Sequence, residues 1–245
     1  MDKQCTAIVT GAGKRVGRAI AEALAADGWR VVAHVHHEDD DVPPGTVRIV
    51  ADLQSADCAE VIFAAAARLG PVALLINNAA RFAWDGVGEF SASELAAHMA
   101  VNVAAPALLI DRLARDHVAG EDSLVVNLLD SKLAAPNPDY LSYTLSKQAL
   151  GGLTQLAARA LAPSGIRVNG IAPGLMLRSS GQSEENYQSM HAANPLRRGV
   201  APGDVIEAIR YLVGATCVTG QVLTIDAGHR FLALDRDVQF IAPGA

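Results

Sequence analysis

The chain lacks the positive charge that a broad polyanion surface needs: 20 Lys and Arg stand against 26 Asp and Glu, a net charge of −6, and the basic residues are scattered. Nucleic acid is therefore excluded as the expected ligand. Cysteine is equally scarce. Cys5, Cys58 and Cys217 are odd in number and show no metal-ligand spacing, which points away from a disulfide framework and toward buried thiols in a reducing cytosol. No run reads as long enough to span a bilayer, and the strand-like CTAIVT begins within a few residues of the N-terminus, leaving no room for a signal peptide. A cytoplasmic protein with a small-molecule ligand and no membrane partner is expected. There is also no internal repeat, no low-complexity linker and no break in composition. With 245 residues, 51% of them hydrophobic, the chain has material for a sizeable core. It reads as one domain over residues 1–245, with a C-terminal tail over 232–245.

What is present is a regular alternation. Seven runs rich in β-branched residues recur: CTAIVT (5–10), RVVAHV (30–35), TVRIVA (46–51), VALLIN (72–77), SLVVNLL (123–129), IRVNGI (166–171) and QVLTID (221–226). Ala- and Leu-rich segments of helical length lie between most of them. Strands alternating with helices imply parallel crossovers, so the expected class is α/β: a Rossmann-like, doubly wound fold with a seven-stranded parallel sheet and helices on both faces. One connection breaks the pattern. HHEDDDVPPG, between the second and third strands, is too short and Pro-rich for a crossover helix and should be a loop or a single turn. A second irregular stretch, 174–203, follows the sixth strand at the carboxyl end, where such folds bind ligands. It reads as a mobile substrate lid, with a surface insertion as the alternative.

After the first strand, TGAGKRVG (10–17) places Gly11, Gly13 and Gly17 ahead of a helix. A Gly-rich turn opening a helix aims N–H groups at an anion. Lys14 and Arg15 would oppose the helix macrodipole unless a polyanionic cofactor lay beside them. With arginine at 15, that position is expected to need a bare backbone less strictly than 11 and 17. No acid stands at the end of the second strand to hold a ribose 2′-hydroxyl; the residues there are His34, Val35, His36 and His37. This favours NADPH over NADH, although Glu38 and the three aspartates after it could curl back and repel a 2′-phosphate. Metal chelation by the histidines is disfavoured because alternate strand residues face opposite ways; phosphate contact or solvent exposure remain.

Tyr143 and Lys147 stand at i and i+4 and share one helix face. An ammonium there is expected to draw the phenol down from its reference of ~10, making Tyr143 a usable proton donor. Asp130 sits at the carboxyl end of the fifth strand, toward the same crevice. Asn102 lies four residues before Pro106, which has no N–H, so its carbonyl is expected to be left free. The kink there either seats a relay water leading to Lys147 or is purely structural.

These residues together resemble the short-chain dehydrogenase/reductase family over residues 5 to about 230: Thr10-Gly11 with Gly17, Asn77-Asn78-Ala79, Asn102, Tyr143 with Lys147, Pro173-Gly174, and VTGQVLTIDAG near the end. The resemblance implies that Tyr143 is the catalytic acid, that Lys147 binds the nicotinamide ribose and that Asn102 anchors a relay water. It implies a phosphate cradle from Gly11, Lys14, Arg15, Val16 and Gly17, with His36 and His37 beyond it. Asp52, Leu53, Asn78 and Ala79 would line the adenosine side, and Pro173 and Gly174 the nicotinamide. It also implies a homotetramer.

Two absences narrow the family. Thirteen residues before the tyrosine, where most members carry serine, stands Asp130; where most carry glycine, stands Arg15. Both changes resemble the pteridine reductase and dihydromonapterin reductase branch, in which the arginine faces the site and an aromatic at the place of Phe82 stacks on the pterin. The implied function is NADPH-dependent hydride transfer to a dihydropterin-like ring, with Arg15, Phe82, Asp130, Tyr143 and Leu175 around the substrate. The alternative keeps the fold and reduces a ketone, with Ser131 or Asp130 polarising the carbonyl. A cofactor-sensing protein without turnover is a third class, against which the intact Tyr143, Lys147 and Asn102 count. Arg81 is expected either to bind an acidic substrate tail or to lie in solvent. The tail is expected either to cross toward a neighbouring subunit's site or to fray.

Overall fold

The computed structural model describes residues 5–241; the last four residues of the expected tail lie outside the described residues. All seven expected strands form: β1 (Thr6–Val9), β2 (Arg30–Val35), β3 (Val47–Val50), β4 (Val72–Asn77), β5 (Ser123–Leu128), β6 (Ile166–Pro173) and β7 (Val222–Ile225). They pair in parallel throughout, in the order β3-β2-β1-β4-β5-β6-β7. The order reverses beside β1, which leaves a crevice between β1 and β4 at their carboxyl ends.

Strand alternation divides the core between the two faces. Ile8 of β1 packs with Ile62, Leu109 and Ala157 under α2 (Cys58–Ala66), α4 (Ala105–Asp116) and α5 (Leu141–Leu161). Ala7 and Val9 pack on the opposite face with Ile20, Leu24, Ile209 and Leu212 of α1 (Arg15–Ala26) and α7 (Pro202–Gly214). As expected, no helix joins β2 to β3.

Helix α3 (Ala92–Met99) runs into α4 through a π-helical turn, Ala100–Ala104, in which the Ala105 N–H bonds to the Ala100 carbonyl. This wide turn, rather than a kink made by Pro106 alone, reshapes the backbone at Asn102. The continuous helix Ala92–Asp116 spans 25 residues with a mean hydropathy of 1.4 in its most apolar window, so the expectation that no stretch reaches bilayer-spanning length is corrected. It packs in the layer with α2 and α5 and buries His98 and Asn102. The expected thiol burial holds for Cys58 alone: Cys5 is half-buried and Cys217 is exposed. The irregular stretch after β6 contains one ordered helix, α6 (Glu184–Ala192), capped by Ser183.

Candidate active site

A cavity of about 810 Å³ runs along the carboxyl ends of the strands, from the turn after β1 past Asn78 to Tyr143 and Gly174. At its first end, Gly11 has φ 67° and Gly17 packs so closely that a Cβ would fall inside contact distance of the Gly11 carbonyl and of the Asn78 amide. The Thr10 hydroxyl accepts the N–H groups of Asn78 and Ala79 at 3.0 Å each, and Asn78 Nδ2 returns a bond to the Thr10 carbonyl at 2.8 Å. Lys14, Arg15, Val16, Asp52, Leu53, Asn78 and Ala79 all line this end.

Arg15 corrects the expectation about its position. Its φ is 53°, the left-handed conformation that glycine adopts without strain, so the bare-backbone requirement persists and arginine bears a cost of about 1 kcal/mol there. Its guanidinium donates to the carbonyls of Arg178 (3.1 Å) and Leu177 (3.4 Å), tying the cradle to the segment after β6.

His34, at the carboxyl end of β2, braces the cradle. Buried at 2% exposure, it accepts the Gly11 N–H at Nδ1 (3.2 Å), which leaves Nε2–H to donate to the Ala51 carbonyl (3.0 Å). Burial holds its pKa below the usual histidine value. His36 and His37 are exposed at the cavity edge. Of the following acids, Asp40 does curl back, accepting the His37 N–H at 3.1 Å, while Asp41 pairs with Arg18 at 3.2 Å.

At the other end, α5 carries Tyr143 and Lys147. The helix is held at its start by Asp85, whose carboxylate accepts the Ser142 N–H at 2.9 Å. The Tyr143 hydroxyl donates to Asp130 Oδ2 at 2.8 Å; Asp130 Oδ1 accepts the Lys132 N–H at 2.9 Å. Lys147 donates to the Leu128 carbonyl at 2.6 Å. Burial raises the Asp130 pKa and, with the Asp130 charge, lifts Tyr143 well above the usual phenol value; it lowers Lys147 to about 8. The expected downward shift of Tyr143 is thus reversed: burial disfavours the phenolate, and the hydrogen-bond partner is a carboxylate rather than an ammonium.

Asn102 uses its side chain fully. Oδ1 accepts the Arg81 N–H at 2.7 Å, and Nδ2 donates to the Arg81 carbonyl at 3.0 Å and to Ser146 at 2.8 Å. Arg81 itself forms a bidentate pair with Glu94 at 2.9 and 3.2 Å with 38% of its side chain exposed, so it lies partly in solvent and is engaged by a carboxylate of its own chain. Phe82 stacks on Tyr140 (centroids 4.3 Å apart, 16°) and meets Tyr143 nearly at a right angle (4.7 Å, 87°).

The tail neither frays nor extends away from its own chain as far as Ile241. It folds over this same cavity: Asp237 pairs with Lys132 at 2.9 Å, Arg236 with Asp139 at 2.8 Å, and Gln239 accepts the Tyr140 hydroxyl at 2.6 Å. Pro173, Gly174 and Leu175 complete the floor.

Comparisons with known proteins agree with this geometry. The family model described as enoyl-(acyl carrier protein) reductase matches residues 11–230. Pteridine reductase 1 of Leishmania tarentolae is 30% identical over 91% of this chain and 95% of its own length; L-xylulose reductase of Bos taurus is 31% identical over 93% and 96%. The crystal structure of FolM alternative dihydrofolate reductase 1 from Brucella suis, in complex with NADP, superposes with a TM-score of 0.89 at 34% identity over 94% of this chain and 97% of that one. The chain is therefore an oxidoreductase belonging to the short-chain dehydrogenase/reductase family, with its resemblance to the pteridine reductase branch upheld.

Proposed function

We propose that the protein is an NADPH-dependent reductase of a dihydropterin-like ring. The observation that carries this reading is the Tyr143–Asp130 hydrogen bond, which puts an acid pair where a carbonyl reductase would carry tyrosine and serine hydroxyls. A C=N bond reduced by hydride needs a proton on nitrogen. Tyr143, kept neutral by burial, donates it, and Asp130 relays a replacement to the phenol. Lys147 remains close enough to steady the phenolate that forms transiently, its ammonium lying 5.7 Å from the Tyr143 ring. Phe82, half-exposed in the cavity lining, offers an aromatic surface on which the substrate ring stacks, and Arg15 closes the cavity from the cradle side.

The cradle fits the pyrophosphate of a dinucleotide: Gly11 and Gly17 leave no room for side chains, and the cavity extends from them to Lys147. NADPH, when bound, supplies the hydride. NADPH is favoured over NADH by the histidines at the end of β2 and by the relative solved with NADP. We further read residues 1–245 as one domain, and the active form as a homotetramer packed through α4 and α5, since α5 exposes Leu145 and Leu156.

A second reading, reduction of a ketone, is favoured by the similarity to L-xylulose reductase. The deciding experiment is NADPH oxidation with a dihydropterin and with a panel of ketones, for the native protein and Asp130→Ser. Dihydropterin turnover that collapses in the variant supports the first reading. Ketone turnover that survives or rises supports the second.

A further inference from the structure

Asp85 is a buried carboxylate, 3% exposed, that no step of the proposed reaction uses. Among the described residues it has no ion-pair partner; the start of α5 holds it instead. Its Oδ1 accepts the Ser142 N–H at 2.9 Å, its Oδ2 accepts the Ser142 hydroxyl, and its backbone carbonyl accepts the Leu141 N–H at 3.2 Å. The positive end of the helix faces the charge. A helix ordinarily finds such a partner in the residue just before its first turn. Here that residue is Tyr140, which has φ 57° and makes no side-chain cap bond, so the cap comes from Asp85, 57 residues before Ser142.

The loop that carries Asp85 is itself pinned at two points. Asn102 holds Arg81 by its N–H and its carbonyl. One helical turn before Asn102, the fully buried His98 accepts the Ala83 N–H at Nε2 (3.3 Å), while its Nδ1–H donates to the Glu94 carbonyl (2.8 Å). Between the two pins stands Phe82, its ring centroid 4.7 Å from that of Tyr143. Residues 81–85 therefore reach from the aromatic wall of the cavity to the turn of α5 that bears Tyr143.

We propose that Asp85 is a positioning residue for the reaction: by capping α5 it fixes the Tyr143 hydroxyl relative to Asp130 and to the cavity wall at Phe82. The proposal rests on the reading of Tyr143 as the proton donor and deepens it. Ser142 is the second residue of the helix and Tyr143 the third, so a cap at Ser142 sets where the phenol emerges. Because one pinned loop supplies both Phe82 and the cap, the proton donor and the wall beside the substrate are set against each other. Misplacing a reacting group by ~1 Å is enough to lose about a hundredfold in rate.

The test compares the native protein with Asp85→Ala, Asp85→Asn, Ser142→Ala and, as a control, Leu212→Ala, which opens a hole in the α7 layer away from this loop. Thermal unfolding, the NADPH Kd, and kcat and KM with a dihydropterin and a ketone are recorded well below each Tm. Asp85→Ala should lower kcat at least about tenfold while the NADPH Kd stays near native. Asp85→Asn keeps an oxygen for the Ser142 N–H and should recover most of kcat. Ser142→Ala, which removes only the hydroxyl bond, should fall between the two, and it carries the comparison with Asp85→Asn if Asp85→Ala does not fold. Leu212→Ala should lose Tm and keep kcat. Native kcat in Asp85→Ala and Ser142→Ala, equal losses in the Ala and Asn variants, or a Kd rise that matches the kcat loss overturns the positioning role. A readout free of turnover comes from fluorotyrosine labelling of the four tyrosines, with Tyr143→Phe identifying one resonance. That resonance should move in Asp85→Ala and keep its place in Asp85→Asn and Leu212→Ala. If neither substrate is reduced, the proton-donor reading fails and the resonance alone decides: unmoved by Asp85→Ala, it overturns the role.

Discussion

Replacing His34 separates a brace of the cradle from a mere core residue. The imidazole makes two bonds, one to the Gly11 N–H and one to the Ala51 carbonyl, and it is almost fully buried. His34→Leu removes both. Leaving a buried partner unsatisfied costs about 1–3 kcal/mol, so with two partners the variant should lose roughly 2–6 kcal/mol of stability. It should also loosen the Gly11 turn, with a rise in the NADPH Kd of about tenfold for one lost bond. His34→Asn keeps an acceptor near the place of Nδ1 and should hold the Kd within about threefold of native by the same measure. The assay is a fluorescence titration with NADPH, read beside urea unfolding. If Leu and Asn variants share one Kd, or if Leu lowers stability while leaving the Kd untouched, the brace is refuted. A pH dependence follows too. The folded pKa lies below 6.5, so between the two values the unfolded chain takes up a proton that the folded chain refuses. Native stability should therefore fall as pH drops through that window, and His34→Asn should be spared that part of the fall.

Arg15→Gly should relieve about 1 kcal/mol of left-handed backbone cost and raise Tm by about 2–4 °C, while faster limited proteolysis near 177–183 reports the loss of its bonds to that segment. A lower Tm counts against the strain assigned to it. Lys147→Met should abolish reductase activity yet stabilise the fold at pH 7: the folded pKa of about 8 lies below the free value of 10.5, so native stability rises with pH from about 8 to 10.5 and the variant lacks that slope. Urea midpoints at pH 7 and 9.5 check it, and parallel profiles for the two proteins would sink the claim.

The sheet was legible because each strand is a short β-branched run between breakers, the near-continuous apolar pattern of parallel strands covered on both faces. The helixless β2–β3 connection was legible from its two prolines. Local strain was not. Arginine at 15 suggested a relaxed backbone, but the turn keeps its left-handed geometry because Gly11 and Gly17 on either side fix the path, and the side chain is compensated by carbonyls far along the chain. The site residues Asp130, Tyr143 and Lys147 were placed together by spacing. The direction of the Tyr143 shift was not legible, because spacing shows which groups share a helix face but neither how deeply the phenol is buried nor which group accepts its hydroxyl. Sequence also gave no sign of the tail's destination, since its contacts with Lys132, Asp139 and Tyr140 cross about a hundred residues. His34 carried one signal: of the three histidines it alone lies within β2, among the apolar residues of a strand buried on both faces from Val31 to Val35.

The cradle is stitched from three separated parts of the chain: Thr10 and Gly11, His34 at the edge of β2, and Asn78 after β4. During synthesis, the anion pocket cannot exist until β4 has been laid beside β1, so a dinucleotide recognises only chains that have completed this half of the sheet. Binding and folding are then one equilibrium, and a ligand at a hundred times its Kd deepens the native well by about 2.7 kcal/mol. A variant weakened anywhere in the β1–β2–β4 unit becomes a conditional protein, whose abundance in a cell tracks the supply of its own coenzyme.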